Sequence, residues 1–197
     1  MNRSFSPASE RNKQPIFRIM NPLLPARARV LEIGAGTGQH AEFFTQQRPD
    51  LDWLSTDLDN RIDDLIEAAR STGSPARFRV RALDVCLEDW PEGPFDAVFS
   101  ANTLHIMPWA NTSRLIEKTM HRLVTGGLLF CYGPFKDKGR HNAASNREFD
   151  HDLRERHPEM GIRDLVEIRK LGEKYSMPLC AEISLPANNR MIVFRRS

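Results

Sequence analysis

The stretch RVLEIGAGTGQHAEFF, residues 29–44, runs from an apolar strand through three glycines, Gly34, Gly36 and Gly38, into a helical period. So bare a turn lets ligand atoms approach the backbone, and in a doubly wound α/β sheet it lies at the carboxyl edge, where ligands bind. The dinucleotide fingerprint asks for glycine at the first, third and sixth positions. Counted from Gly34 the sixth is Gln39, which disfavours a nicotinamide cofactor and an oxidoreductase. The Lys-Ser/Thr pair of a phosphate-binding P-loop is missing too. A glycine turn needed only for its geometry is the competing reading, and residues at the ends of the next strands decide between the two.

Working outward, strand-like runs alternate with helical periods. A helix over about 39–47 leads to the strand DWLSTD. The next helix carries Ile62, Leu65, Ile66 and Ala69 on one face. RFRVRALDV alternates polar and apolar residues as an edge strand does, and DAVFSAN reads as a buried central one. A helix with Ile116, Met120, Leu123 and Val124 on one face is expected to stop at Gly126 and Gly127, before the strand LLFCYG. The polar segment GPFKDKGRHNAASN follows, ending in a capping box with Ser145 at the N-cap and Glu148 three residues on. After a further helix near 163–175, CAEISL and MIVFRR are joined by PANNR, too short for a parallel crossover, so they form an antiparallel hairpin. The expectation is one α/β domain over 1–197 with a doubly wound, mostly parallel seven-stranded sheet. Only the first 13 or so residues look loose.

Two aspartates complete the edge. Asp57 closes the second strand, where a carboxylate can accept from both ribose hydroxyls. Asp84 follows the third, where it can accept from an adenine amine while the Val85 backbone faces the ring. Either alone reads as a strand-end cap; together behind a glycine turn they describe a nucleoside pocket without phosphate chemistry. Composition points the same way. The 197 residues carry a formal charge of +2 spread along the chain, so a small-molecule substrate is expected rather than nucleic acid or a membrane. Three scattered cysteines suggest neither a disulfide framework nor a metal site, and a reducing cytoplasm is expected.

The order EIGAGTG, an Asp closing strand two, LDV after strand three and a terminal hairpin resembles the class I S-adenosylmethionine-dependent methyltransferases. More closely, SPASERNKQPI, LEIGAGTGQHAEFF, WPEGPFDAVFSANTLHIMPW, YGPFK, SNREFDHDLRERHPEMGIRDL and PANNRMIVF resemble the methyltransferase-like family catalogued as domain of unknown function 938, essentially end to end. The resemblance implies a Rossmann-like sheet, S-adenosylmethionine as cofactor, and contacts from Glu32, Gly34, Gly36, Asp57 and Asp84, with Ala35, Leu58, Val85 and Asn102 beside them. It implies no substrate.

Methyl transfer asks mainly that donor and acceptor be held in line; a base is needed only if the acceptor is protonated. His105, just after the fourth strand, is the candidate base, with a loop tie as its other reading; Tyr132, ending the fifth strand, is a further catalytic-site residue expected to shape the acceptor site. A substrate-side insertion over 133–160 offers His141, Asn142 and Asn146. Arg11 and Asn12 belong either to a lid over residues 1–15 or to a solvated tail. Asn188 and Asn189 read as turn residues. The fourth-strand SANT does not resemble the [DN]PP[YF] motif that orients planar nitrogens, which disfavours nucleic-acid bases. A cofactor-binding regulatory or partner protein without turnover is the alternative function.

Overall fold

The computed structural model describes residues 4–72 and 77–197. In chain order the elements are α1 (Pro7–Met20), β1 (Arg29–Ile33), α2 (Gln39–Gln47), β2 (Asp52–Asp57), α3 (Ile62–Ser71), β3 (Phe78–Ala82), β4 (Phe95–Ala101), α4 (Trp109–Arg122), β5 (Leu123–Gly133), β6 (Phe135–Asp137), β7 (Arg140–His141), α5 (Ala144–Arg156), β8 (Arg163–Asp164), α6 (Leu165–Lys174), β9 (Leu179–Leu185) and β10 (Asn189–Arg195). The main sheet has the order β3-β2-β1-β4-β5-β10-β9. β10 runs antiparallel to both neighbours, and the other pairings are parallel. This is the doubly wound sheet with a terminal hairpin that the sequence predicts. Chain progression reverses between β1 and β4, which places the switch point at the glycine turn.

Burial follows strand position. Central β1 is almost wholly enclosed, with Val30 opposite Trp53 on one side and Ala97 on the other, whereas edge strand β9 alternates half-buried and exposed residues. One face packs Phe44, Trp53, Phe99 and Phe130 beneath α1 and α2. The other packs Leu31, Val98, Leu115 and Ile168 beneath α4 and α6. Among the described residues no helix is long and apolar enough to cross a membrane.

Four expectations are corrected. The supposedly loose start becomes α1 from Pro7: Ser6 caps it by accepting from Ser9 N at 3.2 Å, and Asn12, Ile16 and Met20 form a buried stripe at spacing four. Residues 1–3 lie outside the described residues. The helix preceding β5 ends at Arg122, because Leu123 and Val124 already belong to the strand and Leu123 pairs with Phe95. The capping box at Ser145 does not form; Ala143 is the N-cap and has no side-chain cap. The 133–160 segment also contains β6 and β7, which join β8 in a second, three-stranded sheet. Asp150 organises that segment. Its carboxylate accepts from Ile162 N at 2.6 Å and lies within 3.5 Å of Lys136, His141 and Arg154.

Candidate functional site

All three glycines of the turn have positive φ, for different local reasons. A Cβ on Gly34 would stand 2.5 Å from Thr103 Oγ1, and one on Gly38 would stand 2.8 Å from the Ala68 methyl, so both are needed for packing. A Cβ on Gly36 would meet nothing within 4 Å. Here the turn faces open space, and here the Asp57 carboxylate arrives. Its Oδ2 accepts from Gly36 N at 2.7 Å and its Oδ1 from Leu58 N at 2.8 Å, which fixes the rotamer. Each oxygen keeps a second lone pair, enough for two hydroxyls. Thr56 O anchors the turn itself by accepting from Gly34 N and Ala35 N.

The other cofactor candidates line the same edge. Asp84 Oδ1 accepts from Cys86 N at 2.8 Å, the capping contact of its alternative reading, while Val85 is buried and Leu58 is 46% exposed. Asn102, with φ 55°, donates its backbone N–H to Tyr132 O, tying the ends of β4 and β5. Glu32 departs from the expected direct contact. It is 1% exposed, and its Oε2 accepts from Trp53 Nε1 at 2.9 Å and Ser55 Oγ at 2.7 Å, so the carboxyl lies beneath the turn rather than at its mouth. Burial pushes it up to about 7. Its Oε1 faces His40 Nδ1 at 3.8 Å, and His40 Nε2 is 2.6 Å from Asn12 Oδ1. A buried polar chain thus runs from the sheet through α2 to α1. Gln39 clamps the same helices, accepting from Ser6 N and donating to Glu10.

Tyr132, 5% exposed, is faced by the side-chain amides of Asn189 and Asn12 and by the Arg11 charge, while burial acts more strongly and raises its pKa. Asn12 and Tyr132 are both buried on this side of the site, whereas the Arg11 side chain is exposed. Asn142 and Asn146 are not free to bind as expected: both donate to Asn188 O, and they bond each other at 2.7 Å, bracing the hairpin turn against α5. Asn188 has the left-handed φ of its turn reading. His141 points Nε2 at Asp150, and its buried Nδ1 makes no hydrogen bond among the described residues.

His105 is 5% exposed, packs edge-on against Phe149 at 5.3 Å, and its backbone oxygen accepts from Gly161 N. Burial, helped by the Arg163 charge, lowers its pKa to about 4. The ring is neutral at physiological pH. If it takes the acceptor's proton, the rate should rise through a midpoint of about 4, not the ordinary ~6.5, and be flat through neutrality. His105→Ala should remove that limb; a limb near 6.5 that survives the substitution assigns the base elsewhere.

Sequence reasoning missed His40 and Asp150, and it read Asn189 as a turn residue, whereas Asn189 opens β10 opposite Leu185. For His40 the signal was present, since it lies four residues before the buried Phe44 on the turn's own helix.

Solved structures share this fold. A putative O-methyltransferase from Nostoc punctiforme superposes with TM-score 0.85 at 20% identity, covering 95% of this chain and 56% of that one. An O-methyltransferase family protein from Burkholderia thailandensis gives 0.83 at 16% identity, over 96% and 57%. Human N-acetylserotonin methyltransferase in complex with SAM gives 0.80 at 15%, over 96% and 53%. The chain therefore spans little more than half the length of these proteins, and at such identities the likeness concerns the fold, that of the class I methyltransferases. Over residues 3–196 the sequence matches the family described as "Protein of unknown function (DUF938)", and the chain belongs to that family.

Proposed function

We propose that the protein transfers a methyl group from S-adenosylmethionine to a small polar molecule. The observation that carries this reading is the pairing of Gly36, whose α-carbon faces open space, with an Asp57 carboxylate locked by two backbone N–H groups and still able to accept from a ribose diol. Leu58 offers apolar cover and Asp84 a polar end for the base, and α1 serves as the wall closing the acceptor side. When bound, the cofactor supplies an electrophilic methyl group, so the chain's task is to orient the acceptor and exclude water.

The test is thermal unfolding with S-adenosylmethionine or S-adenosylhomocysteine. Ligand at a hundred times its dissociation constant stabilises by about 2.7 kcal/mol, roughly 5 to 10 °C in a chain of this size. Asp57→Ala should remove most of that shift. A folded wild-type protein whose melting temperature ignores saturating cofactor sinks the assignment. One observation favours a binding protein without turnover: the two candidate catalytic side chains, His105 and Tyr132, are each only 5% exposed. Production of S-adenosylhomocysteine from metabolite extracts separates the two readings.

A further inference from the structure

We propose that Gln39 couples the cofactor turn to the first half of α1, so that cofactor binding and docking of that half-helix strengthen one another. This coupling rests on the methyl-transfer reading and names how the same site is regulated.

Gln39 occupies the position at which a dinucleotide fingerprint carries its third glycine, and it is 5% exposed. Its side-chain amide joins three segments. Oε1 accepts from Thr37 Oγ1 at 2.8 Å, inside the glycine turn, and from Ser6 N at 2.6 Å, at the N-cap of α1. Nε2 donates to Glu10 Oε2 at 3.0 Å, in the first turn of α1. The next residue repeats the tie, with His40 Nε2 2.6 Å from Asn12 Oδ1. Thr37 directly follows Gly36, whose N–H is held by Asp57. One peptide link and two hydrogen bonds therefore connect the ligand-facing glycine to the start of α1.

The two halves of α1 are fastened differently. The second buries Ile16 and Met20 completely and packs Phe17 against Phe43 and Phe44, at 5.7 and 5.3 Å between ring centres. The first, residues 7–14, buries only Asn12, and its Lys13 lies over the Phe43 ring at 5.2 Å. Polar contacts, which water replaces at small net cost, carry most of its attachment, whereas apolar burial anchors the second half. Pro15 stands at the join. It cannot donate to the Arg11 carbonyl, so the helix has a gap in its bonding there, the usual place for a bend. The first half can thus open about Pro15 while the second stays in the core, which makes it a two-state element. A nucleoside seated against Gly36 narrows the positions open to Thr37 and keeps its hydroxyl on Gln39. Opening of the half-helix withdraws Ser6 and Glu10 from the same amide and frees the turn. Each event biases the other by an equal factor.

The experiment uses the full chain, S-adenosylhomocysteine as probe, backbone hydrogen exchange and calorimetry. In wild type, saturating probe should slow exchange over residues 10–14 by on the order of tenfold. The slowing should reach a ceiling as the probe is raised, because a chain with only this half-helix open still binds; global unfolding, which destroys the site, gains protection without limit. Gln39→Glu keeps an oxygen for Ser6 N and Thr37 Oγ1 and suits the N-terminus of α2, but it sets a carboxylate against Glu10. It should expose residues 10–14 and weaken the probe by the factor measured at the ceiling. Adding Glu10→Gln, on α1, returns a donor to the pair and should restore both, while Glu10→Gln alone leaves affinity unchanged. Four results overturn the coupling: wild type binds the probe with exchange over 10–14 unaltered or still slowing without a ceiling; Gln39→Glu frees α1 at unchanged affinity; the double variant regains neither property; or Glu10→Gln alone costs tenfold in affinity, which makes Glu10 a cofactor contact. A wild-type chain that does not bind the probe overturns the methyl-transfer reading as well, a result distinct from these four.

Discussion

Glu32→Gln should stabilise the protein at about pH 8 by on the order of 3 kcal/mol and leave it unchanged near pH 4.5. A buried carboxyl held up at about 7, against an ordinary 4.5, favours folding only while protonated. Its contribution is complete below the unfolded-state value and is lost as the pH climbs through 7. Glutamine removes this dependence without disturbing the local bonds. Its oxygen still accepts from Trp53 Nε1 and Ser55 Oγ, and its NH₂ faces His40 Nδ1, which is an acceptor once the imidazole proton lies on Nε2 towards Asn12. His40 and His105, both lowered to about 4 by burial, act in the opposite sense, losing stability as the pH falls from 6.5 towards 4. They are common to both proteins and cancel in the difference. Urea unfolding of the pair at several pH values provides the check: the two stability curves should diverge steadily between about pH 4.5 and 7. Parallel curves would mean that Glu32 ionises normally in the folded protein.

The three glycines should separate fold from ligand. Gly34→Ala must displace the Thr103 side chain, whose Oγ1 donates to Ala101 O, and it strains a φ of +73°. Together these cost roughly 2 to 5 kcal/mol. Gly38→Ala, with φ +74° and the Ala68 methyl 2.8 Å away, should cost a similar amount by pushing α2 from α3. Gly36→Ala meets no atom, so only the left-handed backbone penalty of about 1 to 2 kcal/mol applies. Its methyl group projects into the open space that the turn faces, however, and cofactor affinity should fall by at least tenfold. Denaturation midpoints and calorimetric titration with S-adenosylhomocysteine, run on the three variants, decide the matter. A folded Gly36→Ala that binds as wild type would place the nucleoside elsewhere.

The main sheet was legible because its strands are apolar or alternating runs bounded by turn residues, and the hairpin because PANNR is short. What sequence missed has specific causes. Leu123 and Val124 continue the period of the helix before them, and only the pairing of Leu123 with Phe95 shows that the strand has begun. Strands of two or three residues, such as β6, β7 and β8, are too short to show alternation. In α1 the buried stripe begins with a polar residue, Asn12, which masks the amphipathic pattern. At the site, Asp57 and the glycines were readable because one turn and one strand end determine them. The Glu32–His40–Asn12 chain was not, since it joins three segments that meet only in the folded core.

β10 follows β9 in the chain but does not follow it outward in the sheet. β10 lies between β5 and β9, pairing with β5 from Arg190 opposite Gly133 to Arg195 opposite Leu128. During synthesis β1 to β4 and their helices can assemble in order, but β5 waits with one edge bare until the chain has grown from Gly133 to Arg195. At about 5–20 residues per second that takes roughly 3 to 12 s. The waiting edge is LLFCY, residues 128–132, apolar and free of charge, the type of strand that recruits a second chain when left unpaired. The order of the strands thus gives the nascent chain a seconds-long period of vulnerability to aggregation on the ribosome, before β10 closes that edge.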